Sequence, residues 1–136
     1  MKIKLGSKKS GFTIIELIIV IIIVAILVAL AYPSYIKYAR KAKRGDAQHL
    51  LMNWSINQEL WRSKNPQYAT DAVLPPPSND NYNFGISNRT ATTYTLSATA
   101  KPGNDQVNDK SRDISFDCDS ICMNQNGVML PAACWD

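Results

Sequence analysis

The sequence predicts an α+β fold in which one long N-terminal helix lays its second half on a four-stranded antiparallel β-sheet. Three observations predict it. An apolar run beginning at Phe12 passes into a segment of helical periodicity that ends near Ser63. Pro66, Pro75, Pro76 and Pro77 then stand among several Asn and Asp in residues 65–81, the composition of an irregular connection. From Tyr82 onward, apolar and polar residues alternate in successive short runs with no helical stretch between them, the arrangement that favours antiparallel pairing. A chain of 136 residues has room for one compact domain of this kind.

The helix has two unlike parts. Phe12 to Tyr32 is apolar except for Thr13 and Glu16, and its length meets the roughly 20 residues that cross a membrane. Residues 12–35 are therefore read as a membrane anchor. Pro33 removes a backbone donor and is expected to kink or locally open the helix. Over 36–64 the periodicity resumes: Ala47, Leu50, Leu51, Trp54 and Trp61 share one side, with Gln58 interrupting the stripe. Asn65, placed before Pro66, ends it. At 1.5 Å per residue the whole helix measures about 75 Å, so its apolar first half is expected to project from whatever the second half packs against.

The expected sheet occupies 82–117. Tyr82, Phe84 and Ile86 form the first strand and Tyr94, Leu96, Ala98 and Ala100 the second, with Ser87-Asn88-Arg89-Thr90 as the turn between them. Ile114, Phe116 and Cys118 form a third run, and a short fourth lies near Val128 to Leu130. Leu50, Trp54 and Trp61 are available to cover the apolar face. Residues 118–134 form a C-terminal region bounded by cysteines.

Charge is unevenly divided. Lys2, Lys4, Lys8 and Lys9 precede Gly11; without residues 1–11 the chain holds eleven basic and eleven acidic side chains. Lys37, Arg40, Lys41, Lys43 and Arg44 make a basic block directly after the apolar segment, where it can meet lipid headgroups or acidic groups of a neighbouring chain. Residues 45–136 carry six basic and ten acidic residues, an excess that argues against general affinity for nucleic acid.

A basic start before a long apolar run is either a signal peptide or an anchor. Here the run exceeds a signal-peptide core, and Leu30-Ala31-Tyr32-Pro33 is a poor cleavage site, so an anchor with a cytoplasmic N-terminus is expected. Tyr32, Tyr35 and Tyr38 sit where interfacial aromatics are common. Glu16 stands out, because a carboxylate within a bilayer is costly unless neutralised or paired. Phe12 lies one helical turn before it, so a cut between Gly11 and Phe12 would create an α-amino group beside that carboxylate, in the same chain or a neighbour.

Lys9-Ser10-Gly11-Phe12-Thr13-Ile14-Ile15-Glu16-Leu17 resembles the cleavage motif of type IV prepilins, which places a glycine, an aromatic residue and a glutamate in these relative positions. The resemblance implies that residues 1–11 are a leader cut after Gly11 by a membrane-embedded prepilin peptidase, that Phe12 is then N-methylated, and that Glu16 docks the subunit on its neighbour. It also implies the helix-on-sheet fold described above. Cys118, Ile121, Met123, Gly127 and the closing Cys134-Trp135 are similar to the C-terminal pattern of PilE-type minor pilins, in which a cysteine at position 122 has no place. By this resemblance the chain is a structural subunit, of the minor kind, of a type IV pilus. It would be held in the bacterial inner membrane and then built with other pilins, by an inner-membrane assembly platform, into an extracellular filament for adhesion, motility or DNA uptake. A type II secretion pseudopilin is the nearest alternative. A pilin that binds DNA or a host surface is a third reading, and the acid excess of 45–136 weighs against its DNA version.

The cysteines fit an oxidising compartment. Cys118 with Cys134 is the favoured pair, and closing that loop contributes about 3 kcal/mol. Cys122 would then be unpaired within the chain. It remains an alternative partner, since alternation would place Cys118 and Cys122 on one face of an unbroken strand. The three cysteines and His49 lack the spacing of a zinc site, and no nucleophile, base and orienting group make a catalytic set, so neither cofactor nor enzymatic activity is expected. His49 is expected to be an exposed helix residue. Asn53-Trp54-Ser55 and Asn88-Arg89-Thr90 match the glycosylation pattern, one that is common by chance.

Overall fold

A computed structural model of the chain describes residues 11–113 and 115–135. Helix α1 runs Ile14–Arg62 and continues through Pro33. The chain divides into two compact units, residues 1–36 and 37–136. In the first, every described residue from Gly11 to Tyr35 is exposed, the whole apolar run included.

The second unit holds the core. Its helical part buries Arg44, Ala47, Leu51, Trp54 and Gln58, whose steps of three and four keep them on one side. Leu50 and Trp61 are only half-buried, so the stripe is rotated from the expected one and takes in the residue that was thought to interrupt it. Gln58 fits there because its amide is fully used: Nε2 donates to the Ala69 carbonyl at 3.3 Å and Oε1 accepts from the Ala69 N–H at 2.9 Å. The connection after the helix is thereby fastened to it. Tyr68 stacks edge-on against Tyr94 with ring centroids 4.6 Å apart, and both hydroxyls donate to Glu59, at 3.0 and 3.2 Å.

Four strands pair in sequence order, all antiparallel: β1 (Tyr82–Ser87), β2 (Thr95–Ala100), β3 (Ser120–Asn124) and β4 (Met129–Leu130). Phe84 faces Ala98, and Ala98 faces Ile121, so one side of the sheet presents Tyr82, Leu96, Ala98, Ala100, Ile121 and Met123 to the core. Fully burying a Leu or Ile of this set contributes about 2–3 kcal/mol. The β1–β2 turn is built from short polar residues. Asn88 takes φ 49°, a left-handed conformation that Asn tolerates, and Thr90 Oγ1 accepts from the N–H groups of Thr92 and Thr93.

The third strand departs from expectation. Ile114 lies outside the described residues, and the stretch from Ser115 to Cys118 is not a strand of the sheet. Its backbone bonds fold back locally: Ser111 N–H donates to Phe116 O, Cys118 N–H donates to Asp109 O, and Lys110 and Asp117 form an isolated bridge. A loop that satisfies its own backbone has nothing to offer β2. The sheet consequently extends to Leu130 rather than ending at 117, with β3 and β4 inside the region expected to be loop.

Candidate functional site

At the N-terminus, Thr13 caps the helix. Its Oγ1 accepts the Glu16 N–H at 3.2 Å and its carbonyl accepts the Leu17 N–H at 3.2 Å. Thr13-Ile14-Ile15-Glu16 thus has the spacing of a capping box, with the glutamate in the first turn where the helix dipole favours negative charge. Reading the segment for cleavage alone missed this pattern. Gly11 and Phe12 precede the helix and are exposed, Phe12 by 87%. Residues 1–10, the rest of the expected leader, lie outside the described residues.

At the other end, a disulfide joins Cys118 to Cys134, with Cα atoms 5.6 Å apart and both residues fully buried. Gln48 Nε2 donates to the Cys134 carbonyl at 2.7 Å, tying the 3-10 turn Ala132–Cys134 to the helix. Cys122 is a free, half-buried thiol on β3, opposite Ser97 on β2 and Leu130 on β4. Its neighbours along the strand, Ile121 and Met123, are the ones buried in the core. Because β3 begins only at Ser120, Cys118 and Cys122 do not share one face of a single strand.

The basic block is also different from its reading in sequence. Arg40 grips Asp105 with two bonds, Nε to Oδ2 at 2.8 Å and Nη2 to Oδ1 at 2.7 Å, and donates from Nη1 to the Asn108 carbonyl at 3.0 Å. One turn along, Arg44 Nη1 donates to Asp109 Oδ2 at 2.6 Å, and there both side chains are almost wholly buried. The two arginines are four residues apart on the helix, and the two aspartates four apart on the 3-10 turn Asp105–Asn108 and its cap. The bond from Arg40 holds the Asp105 carboxyl below the usual carboxylate range. Burial pushes Asp109 upward against the opposing pull of Arg44. Gln106 Nε2 completes the joint, donating to Arg40 O at 3.1 Å and Asp109 Oδ2 at 3.0 Å. Two of the five cations expected to face headgroups or neighbours are therefore spent inside the chain.

The charge balance changes with the boundary. The compact unit begins at Lys37, so the basic block belongs to the head, and residues 37–136 hold eleven basic and ten acidic side chains, a net of +1. The acid excess of 45–136 arises because that count leaves out the basic block Lys37 to Arg44. Asp105, Asp109 and Asp117 are further neutralised by Arg40, Arg44 and Lys110. Lys37, Lys64 and Lys101 make no ion pair among the described residues.

A family model described as the type IV minor pilin ComP, DNA uptake sequence receptor, matches residues 33–122. The chain belongs to this minor pilin family. A second model, the prokaryotic N-terminal methylation motif, matches residues 6–32 of the minor pilin, so the two matches meet where the apolar segment gives way to the head. Among solved structures, a type IV pilin from Shewanella oneidensis superposes with a TM-score of 0.54 at 22% identity, covering 71% of this chain and 98% of that one. At that identity the likeness establishes the fold, the long helix and four-stranded antiparallel sheet. A search of curated proteins returned no match. The minor pilin is thus a subunit that assembles with other pilins, its apolar helix serving first as a membrane anchor, and the pseudopilin alternative falls away.

Proposed function

We propose that this minor pilin captures duplex DNA at the surface of a type IV pilus for uptake. The observation that carries the reading is the match of its head, from Pro33 into β3, to a family described as a DNA uptake sequence receptor. The near-neutral charge of residues 37–136 is compatible with it, since phosphate contact needs a local set of cations rather than a strongly basic whole. Lys37, Lys64 and Lys101 are head cations that make no ion pair among the described residues, and Lys64 and Lys101 are the two tested below as separate phosphate contacts.

The route to the filament follows from the N-terminal segment. Prepilin peptidase cuts after Gly11 while the chain spans the inner membrane with its N-terminus in the cytoplasm, and Phe12 is N-methylated. The assembly platform then moves residues 12–35 from lipid into the filament, and Glu16 meets the Phe12 amine of a neighbour. The methylation-motif match and the exposed apolar run support this sequence of events.

Fluorescence anisotropy of a labelled duplex, titrated with the processed chain in detergent at low and high salt, tests the DNA reading. Binding at low salt that weakens as salt rises, and weakens again in Lys64→Glu with Lys101→Glu, is expected. Absence of binding at low salt contradicts it.

A further inference from the structure

The helix of the head has a second side that its own fold does not use. Ala42, Gly45, His49, Met52 and Ile56 each stand two positions before a buried residue, respectively Arg44, Ala47, Leu51, Trp54 and Gln58, so each lies about 200° round the helix from the core. With Leu60 they follow one another in steps of three and four, which makes them one face. A surface helix ordinarily carries its charges there. Among the described residues this face holds no Asp, Glu, Lys or Arg, and Met52, Ile56 and Leu60 are 36%, 58% and 62% exposed. Lys41, Asp46 and Glu59 stand to either side of it.

Gly45, within that face, is a separate observation. Glycine inside a helix weakens it relative to alanine. The fold gives no reason to accept that cost. Gly45 is helical and is not among the glycines of positive φ, and a Cβ built on it would meet nothing within 4 Å. Neither a turn nor a crowded contact within the chain accounts for it. A close approach from outside does, because small residues let the backbone of a second helix come near.

The occupant must be apolar, uncharged and able to press its backbone against Gly45. Lipid meets the first two conditions, but acyl chains shape themselves to any side chain and require no glycine. A charged soluble helix would strand its own charges against Ile56 and Leu60. Assembly with other pilins supplies a helix of the right chemistry: in this chain Leu17 to Ala31 is apolar without a break and exposed throughout. The face also continues an established contact, since it lies on the same helix whose first part packs among subunits.

We propose that the Ala42–Leu60 face of the head seats the apolar N-terminal helix of a neighbouring pilin, with Gly45 at the point of closest approach. The head thereby has its own grip on the filament, beside the one made by the anchor. This rests on assembly with other pilins and is independent of DNA capture.

Gly45→Leu tests it, because stability and assembly should move differently. Leucine is the better helix former and the position has room, so the thermal midpoint of the processed chain in detergent is expected to hold or rise. The amount of this subunit in sheared pili is expected to fall by about tenfold, the effect of overfilling a close-packed contact. Incorporation at the unaltered level overturns the proposal. A photoreactive benzoylphenylalanine in place of the exposed Asn53, at the rim of the face, identifies the occupant and leaves Gly45 intact. Irradiated pili should yield a cross-link into the apolar N-terminal segment of a neighbouring pilin. A cross-link to another head alone, or no cross-link, overturns the proposal, and that result decides the matter even if Gly45→Leu fails to fold.

Discussion

The two parts of helix α1 share one continuous backbone and have opposite fates. Residues 14–35 are the more apolar, and all are exposed. Residues 37–62 are mixed in character, yet they bury Ala47, Leu51 and Trp54 together with the polar Arg44 and Gln58. Burial here follows from having a partner within the chain, not from apolar composition. The sheet and its connections complete the second part, supplying an amide surface for Gln58 and carboxylates for the arginines. Among the described residues, the first part has no buried side chain. Its exposed surface is stable only in lipid or among neighbouring subunits, which is what an anchor that becomes a filament element requires.

If that contrast is right, the largest effects lie where the head closes on the helix. Arg44→Ala strands the buried Asp109 carboxylate without its cation and is expected to destabilise the head by about 3–5 kcal/mol in denaturant unfolding. A loss under about 1 kcal/mol would mean that the pair adds little to the joint. Replacing Cys118 and Cys134 together by serine is expected to lower stability by about 3 kcal/mol, and reductant should do the same to the unaltered chain. Arg40→Ala should lose far less than Arg44→Ala, since the side chains of Arg40 and Asp105 are 22% and 50% exposed and water takes over the lost bonds. Smallest of all, Ile22→Ala should leave head stability within about 0.5 kcal/mol of the original, with any loss appearing only as reduced incorporation into pili. A marked fall in head stability from that change would break the contrast.

Much of this was legible in the sequence because it depends on local pattern. Gly11, Phe12 and Glu16 mark the edge of the apolar run, the Pro-rich stretch separates helix from sheet, and the first hairpin shows in the alternation from Tyr82 to Ala100. What escaped depends on distant partners. The Ile114–Cys118 run has the alternation of a strand, yet Asp109 and Ser111 bond the backbone of Phe116 and Cys118 into a loop. Gln58 looked like a break in the stripe because Ala69, eleven residues on, was needed to satisfy it. Arg40 and Arg44 looked like a solvent-facing block because the aspartates they hold lie 65 residues further along. Leaving that block out of the charge count made the head look acidic and counted against DNA. Thr13 was the exception, a local signal overshadowed by the cleavage motif it overlaps.

The central claim is that one segment is cut, exported and assembled while a separate head works at the filament surface. Intact-mass spectrometry of this chain recovered from sheared pili, without reduction and after thiol alkylation, tests it most directly. The account predicts a chain beginning at N-methylated Phe12, with Cys118 and Cys134 joined and a single alkylated thiol at Cys122. A chain retaining Met1, found in the membrane fraction and missing from pili, would contradict it.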